Sequence, residues 1–264
     1  MKSSNHKGES SMELNELYSQ FNEELRLSRN MASRIEFYTT LNYIKKYIRK
    51  NDKVLDIGAG TGVYTQWLAE KGYDVTAVEL AKPNVIKMMN AIGMMQNVTI
   101  FEGNALNLSM FEDRSFDFVL CMGPLYHLSS VKDKMQCVNE AKRVCKKGGI
   151  IFFAYISNDM VFVTETMLYN PNFLNSDQYE PAFKVKDGPF CFMTVGQMRQ
   201  LMKKCGLEKV SHFAADGLSE LLGDKINAMS QEQYREWLNF HFHTCEKSEC
   251  LGFSNHIVYV AKNV

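Results

Sequence analysis

The chain has 264 residues, which suits one large domain or a domain that carries long insertions. Its 30 basic residues balance 30 acidic residues, so no overall positive field favours nucleic acid or an anionic membrane as a partner. The seven cysteines form no CxxC pair, no secretory leader is evident, and no apolar run reaches the ~18 residues that span a bilayer. The composition therefore predicts a cytoplasmic protein with reduced thiols and without a metal-binding cysteine pattern.

The predicted elements alternate between strands and helices. The polar residues 1–11 predict a disordered lead-in, and residues 12–50 show helical periodicity. Apolar runs then predict seven strands, with helices between most of them, at residues 54–57, 74–80, 98–102, 116–122, 150–156, 207–214 and 256–261. A helix before the fifth strand is predicted to end at Gly148-Gly149, and Thr194 is predicted to cap another. This order predicts an α/β fold with a doubly wound, mostly parallel seven-stranded sheet of the Rossmann-like kind.

Two long segments interrupt this alternation, at residues 158–193 and 217–255. The first contains seven of the chain's phenylalanines and tyrosines without a clear period, and the second has helical character around residues 231–243. Long insertions in a compact domain usually act as lids or binding loops. Because the first insertion leaves the carboxyl end of a strand, where ligands bind in open sheets, we predict that both are substrate lids. Residues 12–264 are then a single domain with an N-terminal helical cover.

The stretch VLDIGAGTGVYTQWLAEKGYDVTAVEL, residues 54–80, predicts a strand, a glycine turn, a helix and a second strand. A dinucleotide fingerprint needs a third glycine where this chain has Val63, and a phosphate loop needs a Gly-Lys-Ser/Thr that is absent. Asp56 also places a negative charge where a pyrophosphate would lie. The turn therefore favours a nucleoside ligand without phosphates.

These residues, DIGAGTG followed by a glutamate that closes the second strand, resemble the class I S-adenosylmethionine-dependent methyltransferases of the small-molecule type. The resemblance covers residues 35–157 and resumes weakly in the final strands. It implies that glycine backbone passes close to the ligand, that Glu79 accepts hydrogen bonds from the ribose hydroxyls, and that Asn104 meets the adenine amino group. The cofactor-binding residues implied in this part of the chain are Asp56, Gly58, Ala59, Gly60, Glu79, Leu80, Asn104 and Ala105.

The fourth strand ends in FDFVLCMGPLYHL, which is similar to the corresponding segment of the small-molecule members. The resemblance implies that Cys121 and Met122 lie under the methionyl part of the cofactor and that Tyr126 and His127 face the methyl group and the substrate. His127 is also a candidate general base. A match to the Asn/Asp-Pro-Pro-Tyr signature of nucleic-acid amino methyltransferases is poor, because Gly123 replaces the amide acceptor.

Tyr18 and Arg34, in the N-terminal helical region, are candidates for covering the cofactor, with Arg34 pairing with its carboxylate. Further candidates for a base lie in the insertions: Asp159, Glu165, His241 and His243. The predicted function is methyl transfer from S-adenosylmethionine to a small-molecule nucleophile whose acceptor atom, oxygen, nitrogen or sulfur, stays open. The alternatives are an RNA- or protein-modifying methyltransferase and a non-catalytic S-adenosylmethionine-binding protein.

Overall fold

The computed structural model describes residues 15, 16, 18, 19 and 26–264. The predicted lead-in, residues 1–11, and much of the first half of the predicted helical cover lie outside this part of the chain. Within the described residues, no helix is both long and apolar enough to cross a membrane.

The strands of the described chain are β1 Lys53–Ile57, β2 Asp74–Glu79, β3 Val98–Glu102, β4 Phe116–Cys121, β5 Cys145–Ser157, β6 Tyr179–Glu180, β7 Lys184–Val185, β8 Phe192–Met193, β9 Glu208–Ala214 and β10 His256–Lys262. Seven of them form a sheet in the order β3-β2-β1-β4-β5-β10-β9, and the short strand β8 pairs with the end of β5. The neighbours from β3 to β5 are parallel, whereas β10 is antiparallel to both β5 and β9. The predicted doubly wound, mostly parallel sheet is confirmed.

Helices cover both faces of the sheet. The helices are α1 Met31–Tyr47, α2 Val63–Glu70, α3 Lys82–Ile92, α4 Val131–Val144, α5 Asn158–Thr164, α6 Val195–Lys204, α7 Gly223–Asn227 and α8 Gln231–Thr244. One apolar core forms between the sheet and α1 and α2, and the other forms between the sheet and α4 and α6. The predicted cap at Thr194 is confirmed, because its side chain accepts a hydrogen bond from the Gln197 N–H in a capping box.

The start of β5 differs from the prediction. The helix α4 ends at Val144, and the strand begins at Cys145 instead of at Ile150. Gly148-Gly149 is therefore not a helix stop but part of an irregularity in the strand, where the register between β4 and β5 shifts. Gly148 takes a positive φ of 80° there, a conformation that glycine adopts without strain.

The first insertion folds into short elements around a small apolar cluster of its own. Phe173 and Val185 are buried in this cluster with Ile156 from the end of β5, and Tyr126 packs against it from the segment after β4. The second insertion supplies α7 and α8, which pack against the start of α1. Trp237 contributes to this packing, whereas Phe240 is exposed.

We expect the turn between β1 and α2 to depend on the absence of a side chain at Gly62. Its φ is 89°, and a Cβ there would lie 2.7 Å from Met88 Cγ in α3. In Gly62→Ala, a left-handed alanine costs roughly 1–2 kcal/mol and the overlap adds about 1–3 kcal/mol. The free energy of unfolding in urea measures both terms.

Gly72→Ala is the matched control, because Gly72 has a φ of 86° and a Cβ there would meet nothing within 4 Å. This variant should lose stability only through the left-handed conformation of the alanine. Equal losses in the two variants would show that the contact with α3 does not constrain the turn.

Candidate functional site

The glycine turn after β1 is held against the neighbouring strand by its own backbone. The N–H groups of Gly58 and Ala59 donate to the carbonyl oxygen of Val78, at 2.8 and 3.2 Å. Gly58, Gly60 and Gly62 all have positive φ values, 69°, 58° and 89°. The chain therefore doubles back tightly at the carboxyl ends of β1 and β2, where it presents backbone without side chains.

Glu79, the last residue of β2, is tied to this turn. Its Oε2 accepts a hydrogen bond from the Gly60 N–H at 2.8 Å, and its Oε1 accepts one from the Ala81 N–H at the same distance. Only 7% of the residue is exposed. A carboxylate offers about four acceptor positions on its two oxygens, so this side chain is suited to hydroxyl donors as well as to backbone N–H groups.

Asp56 lies on β1, two residues before the turn, and is buried. Its Oδ2 accepts a hydrogen bond from the Thr65 hydroxyl at 2.8 Å, whereas its Oδ1 has no hydrogen-bond partner among the described residues. Burial and, to a smaller extent, the negative charge of Glu79 raise the pKa of this carboxyl to about 7, although the Thr65 hydrogen bond opposes the shift. A cationic group beside Asp56 would offset this cost.

The segment after β4 packs directly on the turn. A Cβ on Gly58 would lie 2.6 Å from Pro124 Cδ, so only glycine permits this approach. Cys121 is in the core, with its Sγ 3.7 Å from that of Cys137, which leaves only its backbone for a ligand. Met122, the next residue, is half-buried. The predicted cofactor residues of β4 are therefore next to the turn, but the Cys121 side chain faces away from it.

Asn104 follows β3 and closes a local turn. Its Oδ1 accepts a hydrogen bond from the Leu106 N–H at 2.9 Å. Asn104 and Ala105 are half-buried, as is Leu80 after β2. These residues line the same carboxyl edge of the sheet as Glu79, because Glu79 pairs with Glu102 at the ends of the two strands.

The structure brings two predicted residues together at His127. Tyr18 Oη lies 2.9 Å from His127 Nε2, and the Pro189 carbonyl lies 2.9 Å from His127 Nδ1. A carbonyl only accepts, so Nδ1 carries a proton, and in the neutral ring Nε2 accepts from the Tyr18 hydroxyl. Burial lowers the pKa of His127, which keeps the ring neutral. Both ring nitrogens are thus engaged within the protein.

Arg34 is on the exposed side of α1, where its Nε donates to the Ser28 carbonyl at 3.1 Å. The arginine on the inner side is Arg26, which the sequence does not single out. Its Nη1 lies 2.6 Å from Glu36 Oε2, on the buried face of α1. The pairing of Arg34 with a cofactor carboxylate stays a prediction.

The four weaker candidates for a base are dispersed. Asp159 and His243 are exposed, and His243 Nε2 lies 3.3 Å from Lys247 Nζ. Glu165 borders a cleft of about 420 Å³ in the first insertion. His241 is buried, which lowers its pKa. No contact within the described chain joins these four groups to one another.

A second group of charged residues, which we call the His256 cluster, consists of Arg26, Glu36, Asp216, Glu220 and His256. His256 Nδ1 lies 2.9 Å from Asp216 Oδ2 and 3.5 Å from Glu36 Oε2. Although burial opposes it, the charges of Glu36 and Asp216 and the Asp216 hydrogen bond raise the pKa of His256 to about 9. The cluster is therefore a buried network of paired charges.

Glu220 joins the two insertions at this cluster. It accepts hydrogen bonds from the Tyr169 hydroxyl, in the first insertion, and from the Asn255 amide, just before β10. Burial raises the pKa of Glu220, and the charge of Asp216 adds to the effect. The N-terminal region, both insertions and the end of the sheet thus meet at one place.

The sequence contains only a weak indication of the His256 cluster. Glu36 interrupts the buried face of α1 between Ala32 and Thr40, and an ionisable residue on an apolar helix face needs a buried partner. Asp216 and His256 lie directly beside strand ends. The sequence alone does not say which of the chain's charged residues meet.

Three atoms of the cluster, one each from Glu36, Asp216 and His256, lie within 4.8 Å of one another, a spacing that could hold a cation. The Arg26 guanidinium already contacts the Glu36 oxygen, and Asp216 accepts from the Ser254 hydroxyl at 2.5 Å and from the His256 N–H at 3.1 Å. The carboxylates are thus charge-compensated by protein groups, and the geometry fits hydrogen bonding better than metal coordination.

The central part of the chain is similar to known methyltransferases. Residues 55–153 match the family described as "Methyltransferase domain". A ubiquinone biosynthesis O-methyltransferase from Nitrosospira multiformis is 29% identical over 121 residues, which are 45% of this chain and 49% of that protein. The chain thus matches about half the length of this relative.

Two solved structures share the fold across most of the chain. An S-adenosylmethionine-dependent methyltransferase from Methanosarcina mazei has a TM-score of 0.55 at 19% identity, and covers 84% of this chain and 97% of its own. A methyltransferase from Thermotoga maritima, described as a possible histamine N-methyltransferase, has a TM-score of 0.58 at 18% identity and covers 96% and 100%. The resemblance that the glycine turn predicts is confirmed for both the domain family and the fold.

We expect the stability of the ligand-free protein to depend on pH because of the buried Asp56 carboxyl. The folded state raises this pKa, so the contribution to stability is present below the ordinary carboxyl range and is lost as the pH rises through about 7. Asp56→Asn removes the titration. The wild-type protein should therefore lose stability, relative to Asp56→Asn, between about pH 5 and about pH 8.

Chemical denaturation at both pH values measures this difference. Asp74→Asn, at the exposed start of β2, is the control and should leave the pH dependence unchanged. A constant difference between wild type and Asp56→Asn across the range would contradict the buried charge.

Proposed function

Because residues 55–153 are a methyltransferase domain within a class I S-adenosylmethionine-dependent methyltransferase fold, we propose that the protein transfers a methyl group from S-adenosylmethionine to a small molecule. The observation that carries the proposal is the pair of buried carboxylates, Asp56 and Glu79, on either side of a turn of three positive-φ glycines. A phosphate-binding turn would place N–H donors and a cation there instead of two negative charges.

The residues present fit this cofactor. Asp56 Oδ1, which has no hydrogen-bond partner among the described residues, suits the cationic amino group or the sulfonium, and the Glu79 carboxylate suits the two ribose hydroxyls as an acceptor. The side-chain-free backbone at Gly58 and Gly60 would let the ligand approach closely. Asn104 and Ala105 lie at the next strand end, where the adenine would extend in this proposal. When bound, S-adenosylmethionine supplies a methyl group already activated by the sulfonium charge.

The chain's own contribution is orientation and exclusion of water. The turn fixes one reactant, and the segment after β4, through Tyr126 and His127, faces the other. Phe190 of the first insertion lies against both rings, with centroids 6.2 Å from Tyr126 and 5.1 Å from His127. Such contacts support the proposal that the insertion is a lid over the acceptor.

A small-molecule acceptor is supported by the neutral overall charge and by this half-buried aromatic surface. The relatives include an O-methyltransferase and a possible N-methyltransferase, so hydroxyl and amine acceptors both belong in the first screen. An RNA acceptor would need a basic surface, and its binding would weaken steeply with salt. A non-catalytic role would leave cofactor binding intact without turnover.

Turnover tests the proposed function directly. The protein is incubated with S-adenosylmethionine labelled on the methyl group and with sets of phenols, amines, thiols, bulk RNA and protein. We expect label in one of the small-molecule sets, with stoichiometric S-adenosylhomocysteine. Label in RNA or protein alone would instead support an RNA- or protein-modifying methyltransferase. Tight binding of S-adenosylhomocysteine with no turnover in any set would support a non-catalytic S-adenosylmethionine-binding protein.

Glu79→Gln should weaken S-adenosylhomocysteine binding, because a neutral amide replaces the carboxylate that would accept from the ribose. A hydrogen bond to a charged group contributes about 1.5–3 kcal/mol, so Kd should rise about 10- to 100-fold. Glu102→Gln, at the exposed end of the paired strand β3, is the control. Calorimetry measures both, and equal affinities would remove Glu79 from the site.

A second binding measurement distinguishes S-adenosylmethionine from a dinucleotide as the cofactor. Thermal shifts with S-adenosylhomocysteine and with NAD should show stabilisation by the first only, because the turn has the buried Asp56 carboxylate and no third fingerprint glycine. Stabilisation by NAD alone would contradict S-adenosylmethionine as the cofactor.

Phe190→Ala should raise KM for the acceptor about 10- to 100-fold, since about 1.5–3 kcal/mol of apolar contact is lost, with the Kd of S-adenosylhomocysteine little changed. Phe183→Ala is the matched control in the same insertion, because Phe183 is 66% exposed. Steady-state kinetics on the acceptor found in the screen gives KM and kcat. A loss of cofactor affinity with no change in KM would place Phe190 outside the acceptor site.

A further inference from the structure

His256 lies at the edge of the sheet where the cofactor site opens. It is the first residue of β10 and pairs with Ile156 near the end of β5, whereas β4 ends opposite Phe153. At about 3.3 Å per residue, His256 is roughly 10 Å beyond the end of β4, level with the segment that follows it. Its ring contacts Tyr126 of that segment edge-on, with centroids 6.5 Å apart.

One nitrogen of the ring is fixed by carboxylates. Asp216 accepts from the His256 Nδ1 at 2.9 Å and also from the His256 backbone N–H at 3.1 Å, so it orients the residue by two bonds. Asp216 is itself held by the Ser254 hydroxyl. This arrangement assigns the proton to Nδ1 and fixes the direction of the other nitrogen.

The other nitrogen is open. No hydrogen bond joins His256 Nε2 to a described residue, and 21% of the side chain is exposed. His127 differs, because its Nδ1 faces the Pro189 carbonyl and its Nε2 faces the Tyr18 hydroxyl. A base needs a nitrogen that can accept the acceptor's proton, and His256 Nε2 could do so without breaking a hydrogen bond to a described residue.

We propose that His256 Nε2 is the general base that takes the proton from the methyl acceptor, with Asp216 and Glu36 as its positioning residues. This inference rests on the proposed function. It assigns the acceptor to the class of groups that carry a proton before transfer, and we commit to a hydroxyl of the phenol type, which the aromatic surface formed by Tyr126 and Phe190 would receive.

The step balances as a displacement. The acceptor oxygen forms a bond to the methyl carbon of S-adenosylmethionine, and the carbon–sulfur bond breaks with its electron pair passing to sulfur. The hydroxyl proton passes to His256 Nε2, while the other ring proton stays on Nδ1, hydrogen-bonded to Asp216. The products are the methyl ether, S-adenosylhomocysteine and a protonated imidazole, which returns its proton to water.

The charges around the ring determine the pH dependence. Glu36 faces it from α1, Asp216 and Glu220 from the loop after β9, and Arg26 from the chain before α1, while Tyr126 lies against it after β4. The carboxylates raise the pKa of His256 to about 9, so the neutral, basic form grows as the pH rises toward that value. The raised pKa makes the neutral imidazole of His256 a stronger base, but it also means that a smaller fraction of His256 is neutral near pH 7.

Two phenols test the proton transfer, one mostly ionised at about pH 8 and one mostly protonated. For the protonated phenol, His256→Gln should lower kcat/KM by about 10²–10⁴-fold, the usual contribution of a general base. For the ionised phenol the loss should stay below about tenfold, because no proton needs to leave. His243→Gln, on the exposed face of α8, is the control and should alter neither rate.

The conservative variant Asp216→Asn provides a readout that a purely structural role would not move. The rising limb of kcat/KM with pH should shift to lower pH, because the neutral amide no longer raises the pKa of His256. Nuclear magnetic resonance of imidazole-labelled protein with S-adenosylhomocysteine bound should show the same downward shift of the His256 titration. This measurement needs no acceptor, and it remains available where His256→Gln fails to fold.

Equal losses on both phenols in His256→Gln would overturn the proposal, since they would indicate lost packing instead of lost proton transfer. An unshifted titration in Asp216→Asn would overturn the assignment of the positioning pair. Tight S-adenosylhomocysteine binding without transfer to either phenol in the wild type would overturn the hydroxyl acceptor. Absence of S-adenosylhomocysteine binding would instead contradict the proposed function itself.

Discussion

The structure depends on a turn that brings backbone against two buried carboxylates on neighbouring parallel strands. Asp56 and Glu79 are both almost fully buried, and the charge of Glu79 contributes to the raised pKa of Asp56. The N–H groups of Gly60 and Ala81 and the Thr65 hydroxyl offset part of this cost. The same turn cannot carry a side chain at Gly58, because Pro124 packs against it. The ends of β1, β2 and β4 therefore form one unit.

Strand alternation places the second charged site on the same side of the sheet as the first. Asp56 shares its face of β1 with Val54, and His256 shares its face of β10 with Val258, and both valines belong to the core under α1 and α2. The helix α1 contributes to both sites, because Ile44 packs in that core and Glu36 lies close to His256. The same helix therefore packs the sheet core and contributes a carboxylate to the His256 cluster.

The sequence predicts what is encoded locally. The glycine turn, the strand ends that carry Glu79 and Asn104, and the cap at Thr194 are each set by residues within a few positions, and the fold follows from their order. Gly148-Gly149 does not reveal its role locally, because a glycine pair stops a helix and permits a strand irregularity equally well. The His256 cluster has only a weak local signature, because its contacts span the chain: Asp216 and His256 are 40 residues apart, and Glu36 lies on α1. Tyr18 and His127 are both candidates from the sequence, but a hydrogen bond across 109 residues is not predictable from it.

The two carboxylate sites differ in where their counter-charge comes from, and this difference supports giving them different roles. At the turn, Asp56 has only the Thr65 hydroxyl among the described side chains, so a cationic ligand would supply the missing charge and gain affinity from it. At His256, Arg26 and the imidazole itself supply the positive charge from within the protein. A site that already holds its counter-ion gains little by binding a cation, but it holds a proton in a defined position. In our proposal the first site therefore selects the methyl donor, and the second prepares the acceptor.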